Sequence, residues 1–312
     1  MKKNIISNIT ICLLVTITFL IIYYSNSVIE SIGFSISIWR DNLFPSLFPF
    51  FIISNLLLQY GFVEKVGVLF KKIMPNIFHL PKEASYALVI SMFSGFPSGA
   101  KAVTDLVKSK IVSRQEGERL LTFTHYSNPL FIIGFMGSIL LNDKKIGYII
   151  LFSHVISGLI TGYLFRIKTV SIDSDKKNNT ITTLPSFGNA LRKSIFDSLN
   201  TMFLLLGIVS IFLVLTTIIF EIVDLNPTNK TIVAGILEMT QGIKLANGLG
   251  VSLLVKAILM TIFLSFGGIS IHMQVLSIIS QEKIKYRYFL MARLCHSLLA
   301  SVFVYGIYNL FY

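Results

Sequence analysis

The chain has 312 residues, of which 54% are apolar and only 13% charged, with a mean hydropathy of +0.75. A soluble domain carries about a quarter charged residues, so this composition excludes an ordinary water-soluble fold and calls for lipid. The net charge of +12 does not indicate nucleic acid, because the basic residues flank apolar runs, where the preference of Lys and Arg for cytoplasmic loops accounts for them.

In chain order, Asn4–Ile29, Asn42–Val63, Leu120–Asn142, Ile146–Phe165, Ser198–Phe220 and Ala257–Gln281 contain no Asp, Glu, Lys or Arg. Each is long enough for a helix across a hydrocarbon core of about 30 Å, and none shows the alternation of a barrel strand. Tyr288–Phe311, interrupted only by Arg293, predicts a further span. Lys2 and Lys3 precede the first run, but no small-x-small cleavage pattern follows, so it reads as a membrane helix and not as a signal peptide. Cys12 and Cys295 lie inside predicted spans, which predicts apolar fillers and neither a disulfide nor a metal site.

With the N-terminus in the cytoplasm, Arg40 falls outside and Lys65, Lys71, Lys72 and Lys82 inside. The short run Ala84–Ala100 contains Gly95, Pro97 and Gly99 and is basic on both flanks, with Lys108, Lys110, Arg114 and Arg119 following. A full crossing would put one flank outside, so the pattern predicts a re-entrant hairpin whose non-helical tip lines a protein-enclosed cavity. Arg166–Pro185, with Asp173, Asp175, Lys176 and Lys177, reads as a polar linker. A second short run, Thr231–Asn247, predicts a hairpin from the opposite side, and Val251–Ile279 a long helix ending at Lys283, Lys285 and Arg287.

So arranged, the fold class is all-α: a polytopic membrane helix bundle of two inverted repeats, each with a re-entrant hairpin. Residues 1–39 form an N-terminal helix and outer loop, 40–166 the first repeat, 167–194 a cytoplasmic linker and 195–312 the second repeat. Short likenesses such as Arg40-Asp41-Asn42-Leu43 against Phe196-Asp197-Ser198-Leu199 accompany this layout. Paired, interrupted short segments in opposite topology point to a secondary transporter with its site at the repeat interface.

Several residues are candidates to bind its substrate. In Ser94-Gly95-Phe96-Pro97-Ser98-Gly99-Ala100-Lys101 the glycines and proline open the backbone, and a helix beginning near Ser98 offers free amides to an anion, with Lys101 adding charge. The plain alternative is a hairpin turn with Lys101 paired to Asp105. A Walker A loop is excluded, since Ala100 separates the second glycine from the lysine. In His125-Tyr126-Ser127-Asn128-Pro129, the proline frees the carbonyl of His125 and bends the helix; Ser127 and Asn128 either bind ligand or re-satisfy the backbone. Glu238, Gln241, Lys244 and Asn247 recur every three residues on one face. Gly267, Gly268, Ser270 and His272 form the second-half counterpart of the proline break, where small residues could equally serve helix packing. Lys256 is flanked by apolar residues, Arg293 and His296 read as bundle-internal polar pairs, and His154 as a packed core histidine. No HExxH, GxSxG or catalytic carboxylate cluster is present, so no enzyme and no cofactor are expected.

Phe44-Pro45-Ser46-Leu47-Phe48-Pro49-Phe50, the Gly95–Lys101 stretch, Ser127-Asn128-Pro129-Leu130-Phe131-Ile132-Ile133-Gly134 and Phe266-Gly267-Gly268-Ile269-Ser270-Ile271-His272 resemble the YlbJ/SpoVV family of sporulation integral membrane proteins, within the group carrying nucleoside-recognition gate domains. The resemblance runs from about residue 40 to the end. It implies a mother-cell protein of endospore formation that carries dipicolinic acid, a small organic anion, across the outer forespore membrane. Open beside it stand a non-transporting assembly factor of spore formation and a nucleoside-type carrier. The implied partners are the anion and the lipid bilayer, with a homo-oligomer left open.

Overall fold

A computed structural model describes residues 2–69, 72–166 and 185–312; most of the polar linker, 167–184, lies outside the described residues. Among the described residues every regular element is helical. The helices are α1 (Lys2–Tyr23), α2 (Ser25–Ile38), α3 (Phe44–Gln59), α4 (Phe62–Leu69), α5 (Ser85–Ser94), α6 (Ser98–Lys108), α7 (Arg114–Leu120), α8 (Lys144–Leu164), α9 (Phe187–Ile222), α10 (Pro227–Leu237), α11 (Met239–Gly248), α12 (Leu253–Phe266), α13 (Gly268–Ile279) and α14 (Arg287–Phe311). Wider π-helical turns occupy Trp39–Leu43, Met74–Phe78 and Phe131–Leu140.

Among the described residues, four helical stretches are long and apolar enough to cross a membrane: α8, α9, Leu253–Glu282 and α14. The bent pair of α1 and α2 makes up to five. This is an integral membrane protein, and its apolar exterior agrees: Leu13, Phe19, Phe152, Leu298 and Val302 are all exposed.

Where the sequence predicts separate spans Asn4–Ile29 and Asn42–Val63, the chain is arranged differently. The helix breaks at Tyr24, where α1 and α2 meet at 93°. From Ser25 to Gln59 the chain is then helical throughout, passing the expected outer loop as a π turn. Arg40 and Asp41 in that turn pair with each other at 2.6 Å on the surface, which removes the need for a loop there. This run packs antiparallel along α9, joined by Ser27–Glu221 (2.7 Å), Ser35–Ser210 (2.7 Å), Trp39 Nε1 to the Met202 carbonyl (2.9 Å), Asn55–Ser198 (3.2 Å) and Gln59–Ser194 (2.9 Å). α9 itself starts at Phe187, inside the stretch read as linker, and its 36 residues reach about 54 Å.

The expected single helix Leu120–Asn142 is also corrected. α7 ends at Leu120, the backbone leaves helical geometry through Asn128, and Phe131–Leu140 is π-helical. Both short runs do form helical hairpins, α5–α6 around Gly95 and α10–α11 around Glu238. The long run Val251–Ile279 divides at Gly267–Gly268 into α12 and α13. Local caps fix the ends: Ser113 and Glu116 form a capping box on α7, Asp143 accepts from Lys145 and Ile146 amides at α8, and Asn226 precedes Pro227 at α10.

Candidate functional site

Two interrupted helices and two hairpin tips meet in the interior. At the first hairpin Gly95 adopts φ +76, and a side chain there would lie 2.8 Å from the Asn128 amide nitrogen. Gly99, the second residue of α6, lies so close to the carbonyl of Thr124 that a Cβ would sit 1.8 Å from it. The α5–α6 tip is therefore seated directly on the unwound stretch, and only glycine permits the approach. Asn128 locks this contact, donating to the Phe93 carbonyl at 3.2 Å and accepting from the Leu130 amide at 2.7 Å. At the second hairpin, a side chain on Gly268 (φ +67) would lie 3.0 Å from the Met239 amide nitrogen, so the α10–α11 tip rests on the α12–α13 break.

The two joints touch. Phe96 stacks on His125 at 4.9 Å, and a Cβ on Gly267 (φ +94) would lie 3.3 Å from His125 Nε2. His154 of α8 spans both: its Nε2 accepts from the Ser127 amide at 3.2 Å, so its Nδ1–H donates to Ser265 Oγ at 2.9 Å. Arg293 of α14, wholly buried, donates to the carbonyls of Thr122 and His125 and to His296 Nδ1. The carbonyl freed by Pro129 is thus taken up by a guanidinium. Because arginine only donates, His296 Nδ1 must accept, and its Nε2–H passes to the His154 carbonyl at 2.8 Å. His272 is likewise engaged on both nitrogens, with Tyr286 (2.5 Å) and the Phe266 carbonyl (2.9 Å). The sequence gives weak notice of this cluster, since the partners of Arg293 are backbone groups 168 and 171 residues away.

Beside these joints lies a cavity of about 220 Å³. Its walls come from α3 (Phe51, Asn55), α5 (Tyr86, Ile90), α6 and its cap (Pro97, Ser98, Lys101, Asp105), α9 (Thr201, Leu204) and the end of α13 with Gln281. It therefore lies between residues 40–166 and residues 195–312. Lys101 and Asp105 both face it yet form no ion pair with each other: among the described residues the only pairs within 4.0 Å are Arg40–Asp41 and Lys82–Glu83, both at the surface.

Of the residues singled out from sequence, Pro97, Ser98 and Lys101 line this cavity. Ser94, Gly95 and Gly99 build the turn that places them and Asn128 braces it, whereas Ser127 is placed through its amide on His154. Glu238 caps α11, accepting from the Gln241 amide at 2.8 Å and from Thr240, and is buried. Gln241, Gly267, Gly268, Ser270 and His272 belong to the second joint, where Ser270 Oγ and Gln241 Oε1 are buried without a hydrogen-bond partner. Two lysines lie elsewhere. Lys244 is exposed on α11 with its ammonium 3.8 Å from the Phe34 ring, and Lys256 donates to the Asn247 carbonyl at 2.6 Å, closing the end of α11. Asn55, Thr201 and Gln281 line the cavity without having been expected; a lone Asn in the apolar run Phe44–Leu58 was the one visible signal.

Residues 42–141 match the family described as Gate: nucleoside recognition. The chain is 32% identical, over 92% of its length and 79% of the relative's, to the sporulation integral membrane protein YlbJ of Bacillus subtilis (strain 168). No solved structure matches. With both interrupted helices and both hairpins inside the region of likeness, the chain belongs to the YlbJ family of sporulation integral membrane proteins.

Proposed function

We propose that this protein is a secondary carrier for a small organic anion, dipicolinate, acting in the outer forespore membrane during sporulation. The observation that carries the reading is the cavity between the two halves, with unpaired Lys101 one turn into α6. At about 220 Å³ it exceeds the ~150 Å³ that admits a benzene ring, so a substituted single ring is of suitable size. Ser98, Asn55, Thr201 and Gln281 supply hydrogen bonds at its rim, and the first-turn amides of α6 favour a carboxylate.

In this reading the α5–α6 and α10–α11 hairpins are re-entrant and belong to two inverted repeats. Their arms of 10 or 11 residues support this: each reaches about 16 Å, half of a hydrocarbon core. Each tip rests on the broken helix that follows it in the chain, as expected of paired repeats around a midplane site.

One observation favours a second reading. Lys101 and Asp105 balance each other within a cavity otherwise lined by neutral polar groups, which suits an uncharged nucleoside-type solute, and the matching family is described by nucleoside recognition. Proteoliposomes holding the purified protein decide between them. Labelled dipicolinate should enter, unlabelled dipicolinate and not uridine or adenosine should compete, and Lys101→Ala should lower uptake about tenfold or more while Lys244→Ala does not. Uptake indifferent to Lys101, or competition by nucleosides alone, would remove the anion reading. No uptake of either class would leave a non-transporting role.

A further inference from the structure

The cavity that would accept an anion also contains a carboxylate. Asp105 sits one helical turn beyond Lys101 on α6 and faces the same space. Among the described residues, the charged and titratable groups within its electrostatic reach are Lys101 and Lys108 on α6, Lys193 and Asp197 on α9, and Tyr86 on α5; the α3 wall contributes Phe51 and Asn55, and Ile278 of α13 and Gln281 beyond its end complete the lining. None of these lysines comes within ion-pair distance of Asp105. Among the described residues that line the cavity only Lys101 and Asp105 are charged, and they cancel, while Lys108 and Lys193 are exposed and outside its lining. A dicarboxylate entering it would leave two negative charges uncompensated in a poorly solvated space, which is costly.

We infer that Asp105 is the coupling site of the carrier, taking up one proton together with each dicarboxylate, so that Lys101 is freed to offset one carboxylate and the excess charge of the loaded cavity is halved. The inference rests on the carrier reading and adds to it the co-substrate, its residue and a one-to-one ratio. A proton fits better than a metal cation because it needs a single carboxylate oxygen, whereas a hard cation takes about six oxygen ligands, and Asp105 is the one carboxylate lining the cavity. Linkage then fixes the sign. If binding takes up a proton, substrate affinity falls as pH rises, by up to about tenfold per pH unit where free Asp105 is ionised. By reciprocity the substrate raises the affinity of Asp105 for its proton. The same coupling lets a proton gradient drive accumulation.

The test is proton uptake on binding, measured in weakly buffered detergent solution at a pH where free dipicolinate is already a dianion. Wild-type protein should take up close to one proton per dipicolinate bound, and Asp105→Asn close to none, with an affinity that no longer varies with pH. In proteoliposomes an inward proton gradient should drive accumulation by wild type and not by Asp105→Asn. Absence of dipicolinate binding to wild type defeats the carrier reading itself. Binding without proton uptake, proton uptake unchanged in Asp105→Asn, or accumulation that follows a sodium gradient and ignores pH defeats the coupling inference and leaves the carrier reading standing. Should Asp105→Asn not bind at all, the pH slope of wild-type affinity alone decides.

Discussion

At the first helix break the chain leaves helical geometry from Leu121 to Asn128 and its backbone is held by side chains from distant elements; at the second it turns on Gly267 and Gly268, where His272 of the next helix takes the Phe266 carbonyl and His154 meets only the Ser265 hydroxyl. The difference follows from the residue that makes each break. Pro129 cannot donate, and its ring excludes the carbonyl one turn back, so backbone acceptors are left to find donors inside an apolar interior. Arg293, Asn128 and His154 meet that demand. Two glycines with positive φ change direction at little steric cost and strand few backbone groups. A proline break must be built by the rest of the bundle, whereas a glycine break is largely built by its own residues.

The largest expected effect comes from removing the guanidinium. Arg293→Met leaves two buried carbonyls without donors, at about 1–3 kcal/mol each, so the detergent-solubilised protein should lose about 4 kcal/mol in denaturant melts. Arg293→Lys should recover less than half, because an ammonium cannot fork to both carbonyls. Equal stability of Arg293→Met and wild type would end the claim that the first break is externally held. A smaller loss, about 2 kcal/mol, is expected for Asn128→Ala, with proteolysis increasing at the 95–97 turn as the Phe93 bond disappears. The smallest is Gly267→Ala, about 1–2 kcal/mol for a side chain at φ +94. Its added methyl also crowds His125 Nε2, so it should perturb the first break as well, visible as a shifted His125 signal in NMR; a strictly local effect would show the two joints to be independent.

How far these features were readable in the sequence depends on whether their cause is local. Gly95, Pro97, Pro129 and the Gly267-Gly268 pair are backbone punctuation, and each marks a real turn or break. α8 and α14 followed from apolar length, and the two helix pairs around Gly95 and Glu238 from short interrupted runs, the first with basic residues on both flanks. The unwinding from Leu121 to Asn128 did not, because Pro129 accounts for a kink and the rest is stabilised by Arg293 and His154 across the fold. The continuous helical run from Ser25 to Gln59 was hidden by Arg40 and Asp41, which read as loop charges until their mutual pairing is seen. In the candidate site, Lys101 and Ser98 were legible as a charge and a helix start, while Thr201 and Gln281 are ordinary residues until folding brings them to the same wall.

The row of hydroxyl and amide bridges between Ser25–Gln59 and α9 bears on which parts of the molecule can move. Its rungs recur from Ser27 to Gln59 and from Glu221 to Ser194, so a slip by one turn would break all five at once and bring only one such pair back into line, Asn55 with Ser194 or Gln59 with Ser198. Such a pair moves only as one stiff beam. Phe51, Asn55, Thr201 and Leu204 hang from that beam into the cavity, which makes it one rigid jaw of the chamber, so that in the carrier reading the cavity changes shape by relative motion between this beam and the other walls.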